Sequence, residues 1–541
     1  MRRSEWWMTA AVFVVSLLWL AWGIERSAFA GMYCDPVSRI RAQDEAVYGH
    51  EVLAMAATGN WLTPTYLGRY ALNKPPLLIW LAALGVKIFG IHAWAMRLPS
   101  LVAGALLSAL VFALGLRYHS AVAALGGSLL LVSSHLFYVF ARLVMTDMLL
   151  TLCFVAAVWV LATDPCLGRA RSAWLVGLCS GAGIMTKGAA GVLPLLAVAV
   201  YAALLPRHRR PRPARLLWPV AIAFALALPW HLYQLWIHPR WFTAEYILTQ
   251  HLAVGLTSPP QHSSESHLLF YSRRLFAMDP ALAILAAIAL IPFAKRWRRH
   301  TAVIASGVTV IAALGAFRYR SAYYVLPLLP LMALIAASQM AALRPRFRAL
   351  ALVGLCAATA IKLWAGSPVW GIPAGREWKL PEAAGEVRYC QQKRGNELII
   401  VEPNDEYYSS DLPLNRVRYC FIRAPSAPRF YSAIDFDWLG VSVTVDQFDR
   451  LDALRPLFLE RLKSFDMSSD RALATVIWAG SEGEEEHLIA AHPEADFSLP
   501  APMAARLALG GTRVLEPAEA GRAFLLSTAT ATANPTRACG F

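Results

Sequence analysis

Apolar residues in this chain gather into runs of bilayer-spanning length separated by short basic segments, and this pattern predicts most of its elements. Membrane-spanning helices are expected at about Met8 to Ile24, Leu98 to Leu116, Ala121 to Phe140, Met148 to Ala162, Ser172 to Met185 and Ala189 to Leu205. The series continues at Leu216 to Leu235, Pro280 to Phe293, Thr301 to Phe317, Tyr323 to Met340 and Leu350 to Trp364. The run from Pro75 to Gly90 reads differently. Counted as a span it would put the arginine-rich loops on the outer side. A helix lying along the outer interface, started by Pro75 and Pro76, keeps them inside.

With about eleven spans and the amino terminus inside, every strongly basic inter-span loop becomes cytoplasmic. These loops hold Arg117 with His119, Arg169 with Arg171, Arg207 to Arg215, Lys295 to Arg299 and Arg344 to Arg348. Two long polar regions, residues 25–97 and 236–278, then lie outside. From Ser367 the apolar runs shorten to strand length, as in Glu397 to Glu402, Val441 to Val445 and Ala472 to Ala479. The expected fold is an α-helical polytopic membrane protein over residues 1–366, with interfacial helices, followed by a soluble α/β domain over residues 367–541 on the outer side.

Composition supports the pattern. Of the 541 residues, 57% are hydrophobic, more than a soluble domain of this size carries in long runs. The net charge of +15 sits at span ends, where it sets topology, and lacks the basic and aromatic interleaving of a nucleic-acid surface. Met1 to Ala30 has the basic start, apolar run and Ala28-Phe29-Ala30 of a signal peptide, but a first span has the same appearance, and an uncleaved anchor is the expectation. Cys390 and Cys420 stand in a repeated Val-Arg-Tyr-Cys on the outer side, where a disulfide can form, although sequence does not fix the pairing. Cys153, Cys179 and Cys356 lie within spans as packing residues.

The candidate chemistry gathers at the outer boundary. Asp44 to Ala57 is predicted as a helix stopped by Gly59 and Asn60, with Asp44 in its first turn, where the dipole favours a carboxylate, and Tyr48 on the same face. The same topology brings Glu45, Lys74, Arg142, Asp147, Lys187, His251, Arg273, Arg274, Arg318, Arg320 and Tyr324 to that surface. Ionisable groups at the edge of hydrocarbon tend to be functional, although a helix cap for Asp44 and a snorkelling headgroup contact for Lys74 are the simpler alternatives. Carboxylates can take a proton from an attacking hydroxyl or amine, while lysine, arginine and tyrosine can hold a departing phosphate. Because Pro75 and Pro76 remove two amide donors, Lys74 itself would have to supply most of the anion binding there.

Asp44-Glu45 after the first span, Asn73-Lys74-Pro75-Pro76-Leu77, Arg97-Leu98-Pro99-Ser100, Arg142 with Thr146-Asp147, Thr186-Lys187-Gly188, Leu228-Pro229-Trp230 and Tyr324-Val325-Leu326-Pro327 form an ordered set. Together they resemble the bacterial branch of the protein O-mannosyltransferase superfamily, which includes the aminoarabinose lipid A transferases. The resemblance covers Met1 to Trp364. It implies a GT-C membrane glycosyltransferase that takes a sugar from a polyprenyl phosphate at the periplasmic face of the bacterial cytoplasmic membrane and passes it to a lipid, protein or glycan of the envelope.

By position, the resemblance implies Asp44 as the principal catalytic or acceptor-orienting carboxylate, Asp147 as the second acid and Glu45 in support. Lys74 and Tyr324 would contact the carrier phosphate, joined by Arg273, Arg274 or Arg320. Tyr48, Arg142 and His251 are further candidates. Val47 stands where the aminoarabinose enzymes typically have arginine, and Asn73 where they have an acidic residue, which removes one potential metal ligand. A divalent metal is compatible with the pattern but not required by it.

Other motifs carry less. His262-x-x-Glu265-x-His267 has zinc-type ligands without a third partner implied by spacing, and Asp435-Phe436-Asp437 lies among scattered aspartates. Phosphate-binding glycine loops are absent, against a nucleotide-driven enzyme. A transporter or flippase of a lipid-linked saccharide is the alternative, but it calls for charges near mid-span and inverted repeats, and neither is seen. A third reading makes the membrane part an inactive relative and the tail a recruiter of envelope partners. The intact acidic pair and Lys74 speak against it.

Overall fold

The computed structural model describes residues 2–22, 24, 44–66, 69–90, 92–253, 265–364, 398–403, 429–431, 474–479, 489–490, 493–508, 513–517 and 522–528. Cys390, Cys420, His262 and the Asp435 to Asp437 motif lie outside these residues. The chain divides into two compact units, one of residues 1–31, 73–81 and 97–375, the other of residues 32–72, 82–96 and 376–541. In chain order the first ten helices are α1 (Arg3–Ala21), α2 (Asp44–Thr58), α3 (Leu77–Phe89), α4 (Ala93–Tyr118), α5 (Ala121–Ser133), α6 (His135–Phe140), α7 (Thr146–Thr163), α8 (Ala170–Lys187), α9 (Leu193–Leu204) and α10 (Pro213–Ile237). A π-helical segment (Phe242–Ala253) follows, then helices Pro280–Ala294, Thr301–Ala316, Leu329–Ala342 and Pro345–Trp364.

In the first unit the expected apolar runs are helical, several of them broken into two segments. Six stretches, Arg3–Ala21, Ala93–Tyr118, Thr146–Thr163, Ala170–Leu204, Pro213–Ile237 and Ala322–Ala342, are long and apolar enough to cross a bilayer. α3 has 13 residues, about 20 Å, too short for a ~30 Å hydrocarbon core. Large apolar side chains face outward, including Leu217, Trp218, Phe224 and Leu228 on α10, as lipid-facing helices require. α8 and α10 approach closely through small residues: a Cβ on Gly177 would meet Ile222 at 2.6 Å, and one on Gly181 would meet Leu226 at 2.7 Å.

The run Ala121 to Phe140 is not one helix. Ser134 ends α5, and its Oγ accepts from the Phe137 N–H to start α6. Asp279, only 4% exposed, then accepts from Ser134 Oγ at 3.2 Å, from the Leu136 N–H at 3.1 Å and from the His135 N–H. A buried carboxylate at a helix start satisfies donors that otherwise lack partners, which is why the break is stable inside an apolar run. α1 is tied in by a Ser16 to Ser108 hydroxyl bond of 2.8 Å.

In the second unit, α2 stops at Thr58, just before Gly59 and Asn60, and a short antiparallel pair follows (β1, Thr65–Tyr66; β2, Arg69–Tyr70). The carboxy-terminal part contains a six-stranded mixed sheet of β3 (Leu398–Pro403), β4 (Arg429–Tyr431), β5 (Ala474–Ala479), β6 (Asp496–Pro500), β7 (Arg513–Pro517) and β8 (Arg522–Ser527), in the order β4-β5-β3-β6-β8-β7. The first four pair in parallel and the last three antiparallel. Alternate residues Phe497 and Leu499 of β6 and Ala523 and Leu525 of β8 bury one face against helix Ala501–Ala508, the period-two pattern of a half-covered sheet.

Candidate active site

Asp147 lies in the first turn of α7, where no side chain caps the helix, and is 3% exposed. A carboxylate so placed needs a charged partner. It has one in Lys187, the last residue of α8, whose Nζ lies 2.5 Å from Asp147 Oδ1. Both ends obey the dipole rule, with the anion at a helix start and the cation at a helix end. Aromatic rings complete the surroundings of the ammonium, which lies 5.4 Å from the Tyr323 ring centroid and 4.9 Å from that of Tyr324. In sequence, Lys187 was legible as part of a motif and as one of the ionisable residues at the outer surface. Its pairing with Asp147 is a product of the fold.

The chain turns sharply after Lys187. Gly188 has φ 56° and ψ −129°, and a Cβ there would lie 2.5 Å from His251 Nε2 and 2.8 Å from the Tyr246 hydroxyl, so only glycine fits. The Ala189 N–H donates to His251 Nε2 at 3.0 Å. With Nε2 accepting, the proton is on Nδ1, which donates to the Tyr246 carbonyl at 2.6 Å. The Tyr246 hydroxyl meets His231 Nε2 at 2.7 Å, and His231 Nδ1 meets the Ala227 carbonyl at 2.8 Å. Burial holds His251 below the usual histidine range, with Lys74 and His231 adding to the depression against the Tyr246 carbonyl bond, and burial pushes the Tyr246 phenol up.

Similarity to known proteins lies in sequence and in fold. Residues 73–233 match the family described as dolichyl-phosphate-mannose-protein mannosyltransferase. That match covers under a third of the chain. An undecaprenyl phosphate-alpha-4-amino-4-deoxy-L-arabinose arabinosyl transferase of Pseudomonas paraeruginosa is 32% identical over 220 residues, 39% of this chain and 40% of the relative. An uncharacterized protein of Aquifex aeolicus is 27% identical over 205 residues, 38% of this chain and 41% of the relative. The matched segment thus spans less than half the length of these relatives. In fold, the chain is similar to ArnT from Cupriavidus metallidurans, with a TM-score of 0.64 at 16% identity, covering 95% of this chain and 98% of that one. It is also similar to the oligosaccharyltransferase AglB from Archaeoglobus fulgidus, with a TM-score of 0.50 at 14% identity, covering 79% of this chain and 65% of that one.

In the first unit the other candidates are distributed as follows. Lys74 is half-buried and near enough to His251 to weigh on its charge, just ahead of Pro75, Pro76 and α3. Tyr324 is half-buried beneath Lys187 in a 3₁₀ segment, Ala322–Leu328. Arg320 is 8% exposed and donates to the Glu265 carbonyl, whereas Arg273 and Arg274 are exposed on helix His267–Met278.

Arg142 is held at the end of α1. Its Nη1 donates to the Leu20 and Trp22 carbonyls at 2.7 and 2.6 Å, satisfying the end of α1, and its guanidinium lies 4.8 Å from the Tyr138 ring.

In the second unit, Asp44 opens α2, with Glu45 and Tyr48 buried along it. Sequence reasoning missed Glu51, 2% exposed on the same helix and two successive three-residue steps from Glu45. The signal available was that spacing. Among the described residues no three of His, Cys, Asp and Glu converge as a metal site, and His267 Nε2 meets the Phe317 carbonyl at 2.9 Å. The described residues therefore do not assemble a metal donor set.

Proposed function

We propose that this protein transfers a sugar from a polyprenyl phosphate to an acceptor outside the cytoplasmic membrane, the acceptor being a lipid A-like lipid, a protein or a polysaccharide. The observation that carries the reading is the buried Asp147–Lys187 pair against Tyr323 and Tyr324, set in a fold shared with an ArnT solved with undecaprenyl phosphate. The named activity of the arabinosyl transferase relatives points the same way.

In this proposal the acceptor hydroxyl or amine gives its proton to a carboxylate and attacks the anomeric carbon, while the bond from that carbon to the phosphate oxygen breaks. Asp44 is the principal carboxylate, supported by Glu45, with Asp147 as the second acid. Lys74 and Tyr324, with Arg273, Arg274 or Arg320, hold the polyprenyl phosphate as its negative charge develops. About eleven spans carry this machinery over residues 1–366, and residues 367–541 form a soluble periplasmic α/β domain.

The test is release of label from a radiolabelled polyprenyl phosphate-sugar pool by protein in lipid, comparing wild type with Asp44→Asn and Lys74→Ala. Label should move to acceptor or water with wild type and fall about 10²–10⁴-fold with Asp44→Asn. Near-normal turnover by Asp44→Asn removes that residue from the chemistry, and label that stays on its carrier with wild type removes the transferase reading.

A further inference from the structure

Three groups outside the ion pair form one hydrogen-bonded series. His231, in the last part of α10, joins Tyr246 of the π-helical segment, Tyr246 joins His251 of the same segment, and His251 joins the Ala189 N–H of the turn that leaves α8. Ring contacts reinforce it, with Tyr246 stacked on Phe242 at 4.7 Å and tilted against His251 at 4.3 Å. π-Helical turns are uncommon and costly, and they persist where they place a side chain. Here the turn sets the Tyr246 carbonyl and hydroxyl so that one residue serves both histidines.

We propose that His251 is a positioning residue: through the Ala189 N–H it fixes the Lys187–Gly188 turn, and thereby the direction in which Lys187 meets Asp147. The proposal rests on the transferase reading for its consequence in turnover, but the hydrogen-bond arrangement stands apart from it. Both His251 nitrogens are committed to backbone groups, which leaves the ring no free nitrogen to exchange a proton with substrate. Its work is geometric. Gly188 explains why the contact is close, since any side chain there would displace the ring.

Charge follows from the same contacts. Nε2 must remain unprotonated to accept from Ala189. Lys74 and His231 face the ring and oppose its protonation, and Lys187 adjoins the turn. Acid would place a second N–H against the Ala189 N–H and open the contact, loosening the turn that carries Lys187.

Glutamine can replace both bonds, with its amide oxygen accepting and its amide nitrogen donating, and it does not titrate. The experiment compares wild type, His251→Gln and His251→Phe in lipid for turnover across pH. It adds ¹⁵N spectra of histidine-labelled protein, with His251 assigned by its loss in the glutamine variant.

His251→Phe should lower kcat about 10–100-fold with donor KM nearly unchanged. His251→Gln should keep most turnover at neutral pH and hold it at acidic pH, where wild type declines. The spectra should show Nδ1 protonated and Nε2 bare. His251→Gln as slow as His251→Phe, or His251→Phe as fast as wild type, overturns the positioning role, and a bare Nδ1 overturns the arrangement itself. The spectra read the arrangement without any sugar transfer, so a wild type that transfers nothing defeats the function proposal while this measurement still decides the contacts.

Discussion

The two ends of the helical unit bury polar groups in contrasting ways. At the end where α7 begins, Asp147 pairs with Lys187 and the rings of His231 and His251 each have both nitrogens partnered. At the end where α4 stops, His119 and His300 face each other with ring centroids 5.9 Å apart, and His300 stacks on Phe293 at 3.9 Å. There, His119 Nε2 and His300 Nδ1 are buried without a hydrogen-bond partner. Burial, with Arg299 and Arg296 nearby, pushes both histidines down to about 4. Neutral imidazoles thus arise at both ends from desolvation, but only one end invests them in a directed series of bonds. A complete buried network fixes geometry, whereas an incomplete one costs stability and fixes little.

The largest effect is expected at the ion pair. Lys187→Met leaves a buried carboxylate unpaired and should cost about 3–5 kcal/mol in denaturant unfolding, with transfer reduced about 10²–10³-fold. Adding Asp147→Asn should restore most of the stability and none of the transfer. Recovery of transfer by that double variant would show that the pair only holds the fold. Gly188→Ala forces a side chain into a strained backbone region against His251 and should cost about 1–3 kcal/mol, with lower turnover measured in the same preparations. Asp279→Ala removes the acceptor at the α6 start and should cost about 0.5–2 kcal/mol.

The smallest effect sharpens the contrast from the other end. His300→Phe removes an unpartnered nitrogen while keeping the stack on Phe293, so stability at neutral pH should stay within about 0.5 kcal/mol or rise, with transfer unchanged. Acid should separate the variants further. Because the folded-state pKa of His119 and His300 is depressed, the unfolded chain binds protons more readily. Wild-type stability should therefore fall as pH drops from the ordinary histidine range of about 6.5 towards about 4. His300→Phe should flatten part of that slope in unfolding measured across pH, and an unchanged slope would locate the acid sensitivity elsewhere.

Much of this was legible in the residues. Runs of apolar residues marked the helices, Asp44 to Gly59 marked α2 with its stop, and short β-rich runs marked β3 and β5. Thr146-Asp147 and Thr186-Lys187-Gly188 stood out as motifs. What could not be read was their meeting across 40 residues, since that depends on how α7 and α8 pack. The commitment of Arg142 to the α1 carbonyls was hidden for the same reason, its partners lying 122 and 120 residues away. The interruption at Ser134 was hidden because the stretch is apolar throughout and the stabilising Asp279 lies 145 residues on.

The sequence by itself determined which segments form apolar helices and, apart from breaks such as that at Ser134, about where they lie, because hydrophobic length, prolines and end residues act within a few positions of one another. It also placed the charged residues near helix ends, where the dipole and the bilayer edge favour them. Only the tertiary structure decided that Asp147 would meet Lys187, and that a π-helical turn would bring Tyr246 and His251 to Gly188 and Ala189. Hydrogen bonds and ion pairs are short-ranged and directional, so their partners are chosen by the packing of elements far apart in the chain.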